Sequence, residues 1–401
     1  MELITNHFQN RNNKKFEILS VEKAKQIQHF HSSFPMYEPT PLAHLKKFAA
    51  ETGIKDVYVK DESFRFGLNA FKVLGGSYAI AKYIGDKMKI PESELSYELL
   101  TSEKVKKQLG EMTFISATDG NHGRGVAWTA RELGQKSVIL MPKGSAAERL
   151  ENIRAEGADA SITELNYDDA VRMAYKMAKK NDWIMVQDTA WEGYEDIPTW
   201  IMQGYMTMAY EAYQQLKDVS PTHIFIQAGV GSLAGAVIGF FAGVYEKNRP
   251  VMTVVEPDQA ACVFATAKAN DGKRHCVTGD MNTIMAGLAC GEPNTVSLEI
   301  LKEYADFFIS CPDYTAAQGM RILGNPMEKD DRVISGESGA AAFGAVSEIL
   351  RNPDYGDMRK KLGLNENSVV LFFSSEGDTD KENYRKIVWD GAYDRKSFES
   401  E

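Results

Sequence analysis

Short runs of apolar residues alternate with amphipathic stretches over most of the chain. Asp56-Val-Tyr-Val-Lys60 bunches its apolar residues at the centre and reads as a strand. Ser77 to Ile84 is apolar on most of its faces and reads as a helix. From Ser77 to about Trp183, strands are expected at Met112–Ala117, Lys136–Met141 and Ala160–Thr163. Helices are expected between them at Gly123–Leu133, Ala146–Glu156 and Asp168–Lys180. A second series begins near Ile197, with a helix to Leu216, strand Thr222–Gln227, helix Leu233–Glu246 and strand Met252–Glu256. It closes with the helix Ala340–Leu350 and the strand Ser368–Phe373. Such alternation predicts parallel sheets with covering helices. The chain therefore reads as two α/β units with a cleft between them.

Other stretches fit this pattern less directly. Residues 1–34 are polar, helix-prone around Val21 to His29, and read as an arm or lid rather than core. Tyr37-Glu-Pro-Thr-Pro-Leu42 predicts a stiff, extended entry, since each proline restricts its predecessor. A short helix is expected over Leu42–Gly53, and the charged stretch from Asp86 to Leu109 reads as a surface insertion. No internal repeat or low-complexity segment is visible.

Composition narrows the function. The chain has 401 residues, 43% hydrophobic and 25% charged, which is enough for a normal packed core. Its net charge of −10 argues against non-specific binding of nucleic acid or anionic membranes. A local site for an anionic small ligand stays compatible with that charge. Met1 to Phe16 has no apolar stretch of the kind a signal peptide needs. The apolar run Leu233–Tyr245 is too short to span a bilayer. Cys262, Cys276, Cys290 and Cys311 show no metal-binding spacing. Four free thiols are the expectation, with a Cys262–Cys290 bridge as the alternative.

Four stretches carry candidate chemistry. Lys72 follows Phe71 and precedes Val73-Leu-Gly-Gly76, at or just before a helix N-terminus among apolar neighbours. Burial disfavours an ammonium, so such a lysine becomes a nucleophile towards an aldehyde; taken alone, the stretch reads better as an ordinary surface lysine at a helix start, since a single lysine carries little information. Gln227-Ala-Gly229-Val230-Gly231-Ser232-Leu233 follows a strand and opens a helix. Backbone N–H groups converging at a helix N-terminus suit a phosphate, though a tight packing turn has the same sequence. Thr118-Asp119-Gly120-Asn121-His122 crowds polar side chains at another strand–helix junction; Asp119 also fits a helix cap and His122 a packed imidazole. Ser374-Ser375-Glu376-Gly377-Asp378-Thr379 places hydroxyls after the last strand, where an α/β ligand crevice or a solvated turn is expected.

Taken together, these stretches resemble the tryptophan-synthase-β-like, fold type II pyridoxal-phosphate enzymes. Pro39-Thr-Pro-Leu42, Gln203-Gly204, Val255-Glu256-Pro257 and Glu337-Ser338-Gly339-Ala340 add to the likeness, which runs from about residue 37 to 390. Within the family the wording is similar to the diaminopropionate ammonia-lyases. The long strings include Arg65-Phe-Gly-Leu-Asn-Ala-Phe-Lys72, Gln187-Asp-Thr-Ala-Trp-Glu-Gly-Tyr194 and Met285-Ala-Gly-Leu-Ala-Cys-Gly-Glu-Pro-Asn294.

The resemblance implies two parallel-sheet α/β domains with helices on both faces and pyridoxal 5'-phosphate in the cleft between them. The implied division is an N-terminal arm (1–34), a large cofactor-binding domain (35–76 and 191–401) and a small mobile domain (77–190). It implies that Lys72 holds the cofactor as an imine and later acts as base. Asn121 would bond the ring hydroxyl, and Gly229, Val230, Gly231, Ser232 and Leu233 would hold the phosphate. Ser375 would face the pyridine nitrogen, with Ser374 or Thr379 as alternatives. Thr118, Asp119, Gly120, His122 and Asp188 would contact substrate. Asp119 and Asp188 would bind a β-ammonium and manage its proton, because an amine leaves only as neutral ammonia. The implied reaction is α,β-elimination of 2,3-diaminopropionate, in both its D and L isomers, to pyruvate and two ammonia. A serine or threonine dehydratase, or a non-catalytic cofactor-binding protein, is the alternative. The family likeness further implies a cytoplasmic homodimer acting on a small amino acid, without metal, nucleic acid or membrane.

Overall fold

The computed structural model describes residues 1–8, 16–118 and 120–395. Among these residues the strands are β1 (Glu2–Thr5), β2 (Leu42–His44), β3 (Asp56–Asp61), β4 (Thr113–Ala117), β5 (Lys136–Met141), β6 (Asp159–Ile162), β7 (Ile184–Met185), β8 (His223–Gln227), β9 (Val251–Pro257), β10 (Phe307–Cys311) and β11 (Val369–Ser374). They form a seven-stranded sheet in the order β1-β10-β9-β8-β11-β3-β2 and a four-stranded sheet in the order β6-β5-β4-β7. The smaller sheet is parallel throughout. The larger sheet is parallel at its centre, with β1 and β2 antiparallel at its two edges. The α/β class and the two sheets agree with the alternation in the sequence.

The central strands explain themselves chemically. β8 and β11 are buried along their whole length, so neither shows the polar alternation of a half-exposed strand. The helix Ser232–Tyr245, rich in glycine, alanine and phenylalanine, is buried on nearly every face. The helix Val73–Met88 packs along the helix Asp196–Leu216. Glycines permit that approach: a Cβ on Gly204 would strike the Leu74 carbonyl, and one on Gly75 would lie 2.5 Å from the Tyr205 ring. This packing fixes the start of the helix that follows Lys72.

Three expectations need correction. Within 1–34, the described residues are not an arm or lid apart from the core. β1 pairs with β10, and the helix Val21–Ser32 buries Ala24, Ile27, Phe30 and His31 in the main core. A short amphipathic helix looks polar in sequence because its partner surface lies far along the chain. Leu42–His44 is a strand, not the start of a helix; pairing with β3 outweighs local preference, and the helix begins at Lys46. The charged stretch 86–109 folds as short helical turns that bury Leu95, Leu100 and Val105, while Glu92 meets Lys23 at 2.7 Å and Tyr78 at 2.5 Å. Among the described residues, no helix is long and apolar enough to cross a membrane.

His31 ties the N-terminal helix to the helix behind Lys72. Its Nε2 lies 3.1 Å from the Leu74 carbonyl, which can only accept, so Nε2 carries the proton. Nδ1 then accepts from the Thr207 hydroxyl at 2.7 Å. Burial, followed by the Arg65 charge, lowers its pKa from 6.5 to about 3. The unfolded chain therefore binds one more proton than the native state in this window. Stability should fall as pH drops below 6.5, at up to about 1.4 kcal/mol per pH unit. In denaturant titrations at pH 7 and pH 5, the parent should lose about 2 kcal/mol more than His31→Gln. Equal losses in the two proteins would refute the assignment.

Candidate active site

The C-terminal ends of β4, β8 and β11 open onto one cavity of about 380 Å³. This is where open α/β sheets hold ligands. β4 runs into Thr118 and the helix that starts at Asn121; β8 runs into Gly229–Leu233; β11 runs into Ser375. Lys72 enters from the N-terminus of the helix Val73–Met88. Thus Lys72, Thr118, Asn121, Asp188, Ser375 and the whole glycine loop share one wall-to-wall space.

The glycine loop is shaped as a cradle. Gly231 has φ of 102°, in the left-handed region that glycine adopts without a Cβ clash. A Cβ on Gly229 would sit 3.2 Å from the Gly287 carbonyl. The first N–H groups of the helix Ser232–Tyr245 have no carbonyl one turn earlier, so they are available to an anion. The Ser232 hydroxyl faces elsewhere: it donates to the Asp188 carbonyl at 2.5 Å and accepts from Asn294 at 2.9 Å. That clasp holds the glycine loop against the Asp188 segment.

Lys72 Nζ donates to Asp188 Oδ2. The other carboxylate oxygen accepts from the Tyr167 hydroxyl at 3.2 Å. Burial by itself would raise the Asp188 pKa, but the Lys72 ammonium, with His122 and Tyr167, holds it well below the usual carboxylate range. Asp188 is therefore a fixed negative charge beside the lysine amine.

At the far end, Ser375 Oγ lies 2.9 Å from Gln227 Nε2. The Gln227 amide is oriented by the Phe373 carbonyl, also 2.9 Å from Nε2. Because Ser375 accepts there, its own proton is left to donate into the cavity. Ser374 is turned the other way, with its hydroxyl 2.8 Å from Ser335 Oγ, and Thr379 leans on Glu376 at 3.4 Å. Among the three hydroxyls, Ser375 is the one on the cavity wall.

Not every candidate arrives. His122 points into the core, with Nε2 2.8 Å from the Val186 carbonyl, because the helix turn that aims Asn121 at the cavity aims its neighbour away. Gly120 also lies off the wall; its N–H bonds to Thr118 Oγ1 at 3.0 Å. Asp119 lies outside the described residues. Several groups were missed. Tyr167, Arg149, Glu337 and Glu376 line the cavity; the Glu337-Ser-Gly-Ala and Ser374-Ser375-Glu376 strings carry two of them, but neither string assigns its glutamate a role. Burial and the nearby Glu376 charge push Glu337 up to about 7. All four cysteines are free thiols.

These features fit pyridoxal phosphate: an amine, a phosphate cradle and a hydroxyl donor line a single cavity at separate points. The chain belongs to the pyridoxal-phosphate-dependent enzymes, whose family model, described as "Pyridoxal-phosphate dependent enzyme", matches residues 34–375. Within that class it falls among the diaminopropionate ammonia-lyases. It is 49% identical over 399 residues to a Salmonella typhimurium diaminopropionate ammonia-lyase, covering 97% of this chain and 99% of that protein. A holo diaminopropionate ammonia lyase from Escherichia coli superposes with a TM-score of 0.92 at 47% identity, covering 98% of this chain and 97% of that one. The Escherichia coli enzyme in complex with an aminoacrylate-PLP azomethine reaction intermediate matches with a TM-score of 0.90 at 47% identity, covering 98% of each chain.

Proposed function

We infer that this enzyme releases ammonia from 2,3-diaminopropionate by α,β-elimination, leaving pyruvate and a second ammonia after hydrolysis. The observation that carries this reading is the Lys72–Asp188 pair beside the glycine cradle. Pyridoxal phosphate, when bound, supplies an aldehyde that condenses with amines and a ring that draws electron density from the substrate α-carbon. The chain's residues supply the rest.

Lys72 Nζ takes the α-proton of an L-substrate. Asp188, held ionised, attracts a β-ammonium and keeps it protonated as the carbon–nitrogen bond breaks. The bonding electrons then leave with nitrogen as neutral ammonia. Ser375 would donate a hydrogen bond to the pyridine nitrogen while keeping its own proton; a neutral hydroxyl there, rather than a carboxylate, would leave that nitrogen unprotonated and favour rapid expulsion of a β-substituent. Asn121 would hold the ring hydroxyl, and residues 229–233 the phosphate. Asp119 is assigned to the D-isomer's α-proton, and Thr118 to substrate contact. We also propose that residues 77–190 close over the cleft, and that the enzyme is a cytoplasmic homodimer.

Ammonia and pyruvate release from each diaminopropionate isomer, measured beside L-serine, tests the assignment. Both isomers should outrun serine. Serine turnover that matches them would make the enzyme a dehydratase instead. Asp119→Asn should cost the D-isomer about 10²-fold or more in kcat/KM and the L-isomer far less; equal losses would defeat the two-base arrangement.

A further inference from the structure

Glu376 is 2% exposed, yet its carboxylate forms part of the cavity wall and has no role in the reaction described above. Its Oε2 lies 2.5 Å from Asn121 Nδ2. Its Oε1 lies 3.1 Å from the Ser338 N–H, in the first turn of the helix Glu337–Arg351. The backbone is anchored too: the Glu376 carbonyl accepts from Gly336 N at 2.9 Å, and Ala70 bridges to Glu376 just before Lys72. A Cβ on Gly336 would fall 3.0 Å from Glu376 Cγ, so glycine leaves the room this side chain occupies. Glu376 is therefore held in place by groups that do not belong to the Asn121 helix.

A carboxylate only accepts, so the amide of Asn121 must turn an N–H towards it. That leaves the second N–H and the carbonyl oxygen of Asn121 with a defined direction. Without an acceptor there, the amide would be free to turn over, because its oxygen and nitrogen ends are nearly the same size. The bond also joins the unit built on the four-stranded sheet to the end of β11 in the seven-stranded one.

We propose that Glu376 is a positioning residue: it fixes the Asn121 amide so that an N–H faces the cofactor's ring hydroxyl, and it latches the two sheet units at that edge of the cavity. This rests on the reading of Asn121 as the partner of that hydroxyl. The test is a double-mutant cycle on the full chain with Asn121→Ala, Glu376→Ala and both together. Pyridoxal phosphate affinity is read by titration, and the visible absorbance maximum is read at rest. Asn121→Ala should weaken cofactor binding about tenfold and move the maximum. Glu376→Ala should do the same, and the double variant should be no worse than either alone. Glu376→Gln, which keeps the volume, should still lose part of the affinity, since a neutral amide must turn its NH₂ towards either Asn121 or the Ser338 N–H. Losses that add in the double variant would overturn the proposal, because Glu376 would then act without Asn121. An unchanged spectrum in Asn121→Ala would instead remove the reading on which the proposal stands. Circular dichroism of each variant separates these outcomes from misfolding.

Discussion

Lys72→Ala should lose at least about 10³-fold in kcat, since on the proposed reading it removes both the amine that condenses with the cofactor aldehyde and a base worth about 10²–10⁴-fold by itself. It should also lose the visible absorbance of the resting enzyme, because that band needs an imine between the lysine amine and the cofactor aldehyde. The side chain lines the same cavity as the cradle, Asp188 and Ser375. Lys72→Arg sharpens the experiment. Arginine keeps a cation beside Asp188, so the buried carboxylate retains its partner, yet it forms no imine under these conditions. Arginine should therefore restore thermal stability relative to alanine without restoring turnover or colour. Full activity in either variant would remove Lys72 from the chemistry.

Arg65→Met or Glu211→Ala should destabilise the fold by about 3–5 kcal/mol, because each leaves an opposite charge buried without its partner. The side chains of Lys60, Glu62, Arg65 and Glu211 are all fully buried, with two positive and two negative charges in balance. Arg65 bonds Glu62 through Nε and Nη2, both at 2.9 Å, and Glu211 through Nη2 at 2.8 Å and Nη1 at 2.9 Å. Lys60 Nζ reaches Glu211 at 2.7 Å. Burial would raise the Glu211 pKa, but Arg65 and then Lys60 outweigh it and hold Glu211 below the usual carboxylate range. Removing Arg65 and Glu211 together should cost less than the sum of the single changes, since they act as one unit. The network also matters to the site. It grips the root of the segment that passes through Phe66 and Asn69, with φ of 49° and 60°, on its way to Lys72. Loss of stability should therefore come with loss of cofactor affinity. Urea titration of each variant is the measurement, and a cost below about 1 kcal/mol would mean that this cluster is hydrated rather than sealed.

Much of this molecule was readable one residue at a time. The strands expected at 56–60, 112–117, 136–141, 160–163, 222–227, 252–256 and 368–373 all form, as β3, β4, β5, β6, β8, β9 and β11. Periodicity of apolar residues reports burial of one face or two, and in an α/β chain that is nearly enough to name the elements. That Lys72, the 229–233 loop and Ser375 lie on one cavity was legible for a related reason. Each lies at the end of an element, where glycines and hydroxyls in sequence mark backbone that turns towards a ligand.

What lay beyond the sequence was direction and partnership. The N-terminal helix looked polar until its apolar face met the helix Asp196–Leu216. Leu42–His44 became a strand only because β3 offered it an edge. His122 and Asn121 are adjacent in the chain, yet a helix turns about 100° per residue and sends one into the core and the other into the cavity. Glu376 and Glu337 lie in strings that stand out in the sequence, but their own roles do not, because a carboxylate's task depends on which N–H groups and charges surround it. Local composition and pattern decide what a segment can be and which chemistry it carries; only packing between distant segments decides which way each side chain points and what it touches there.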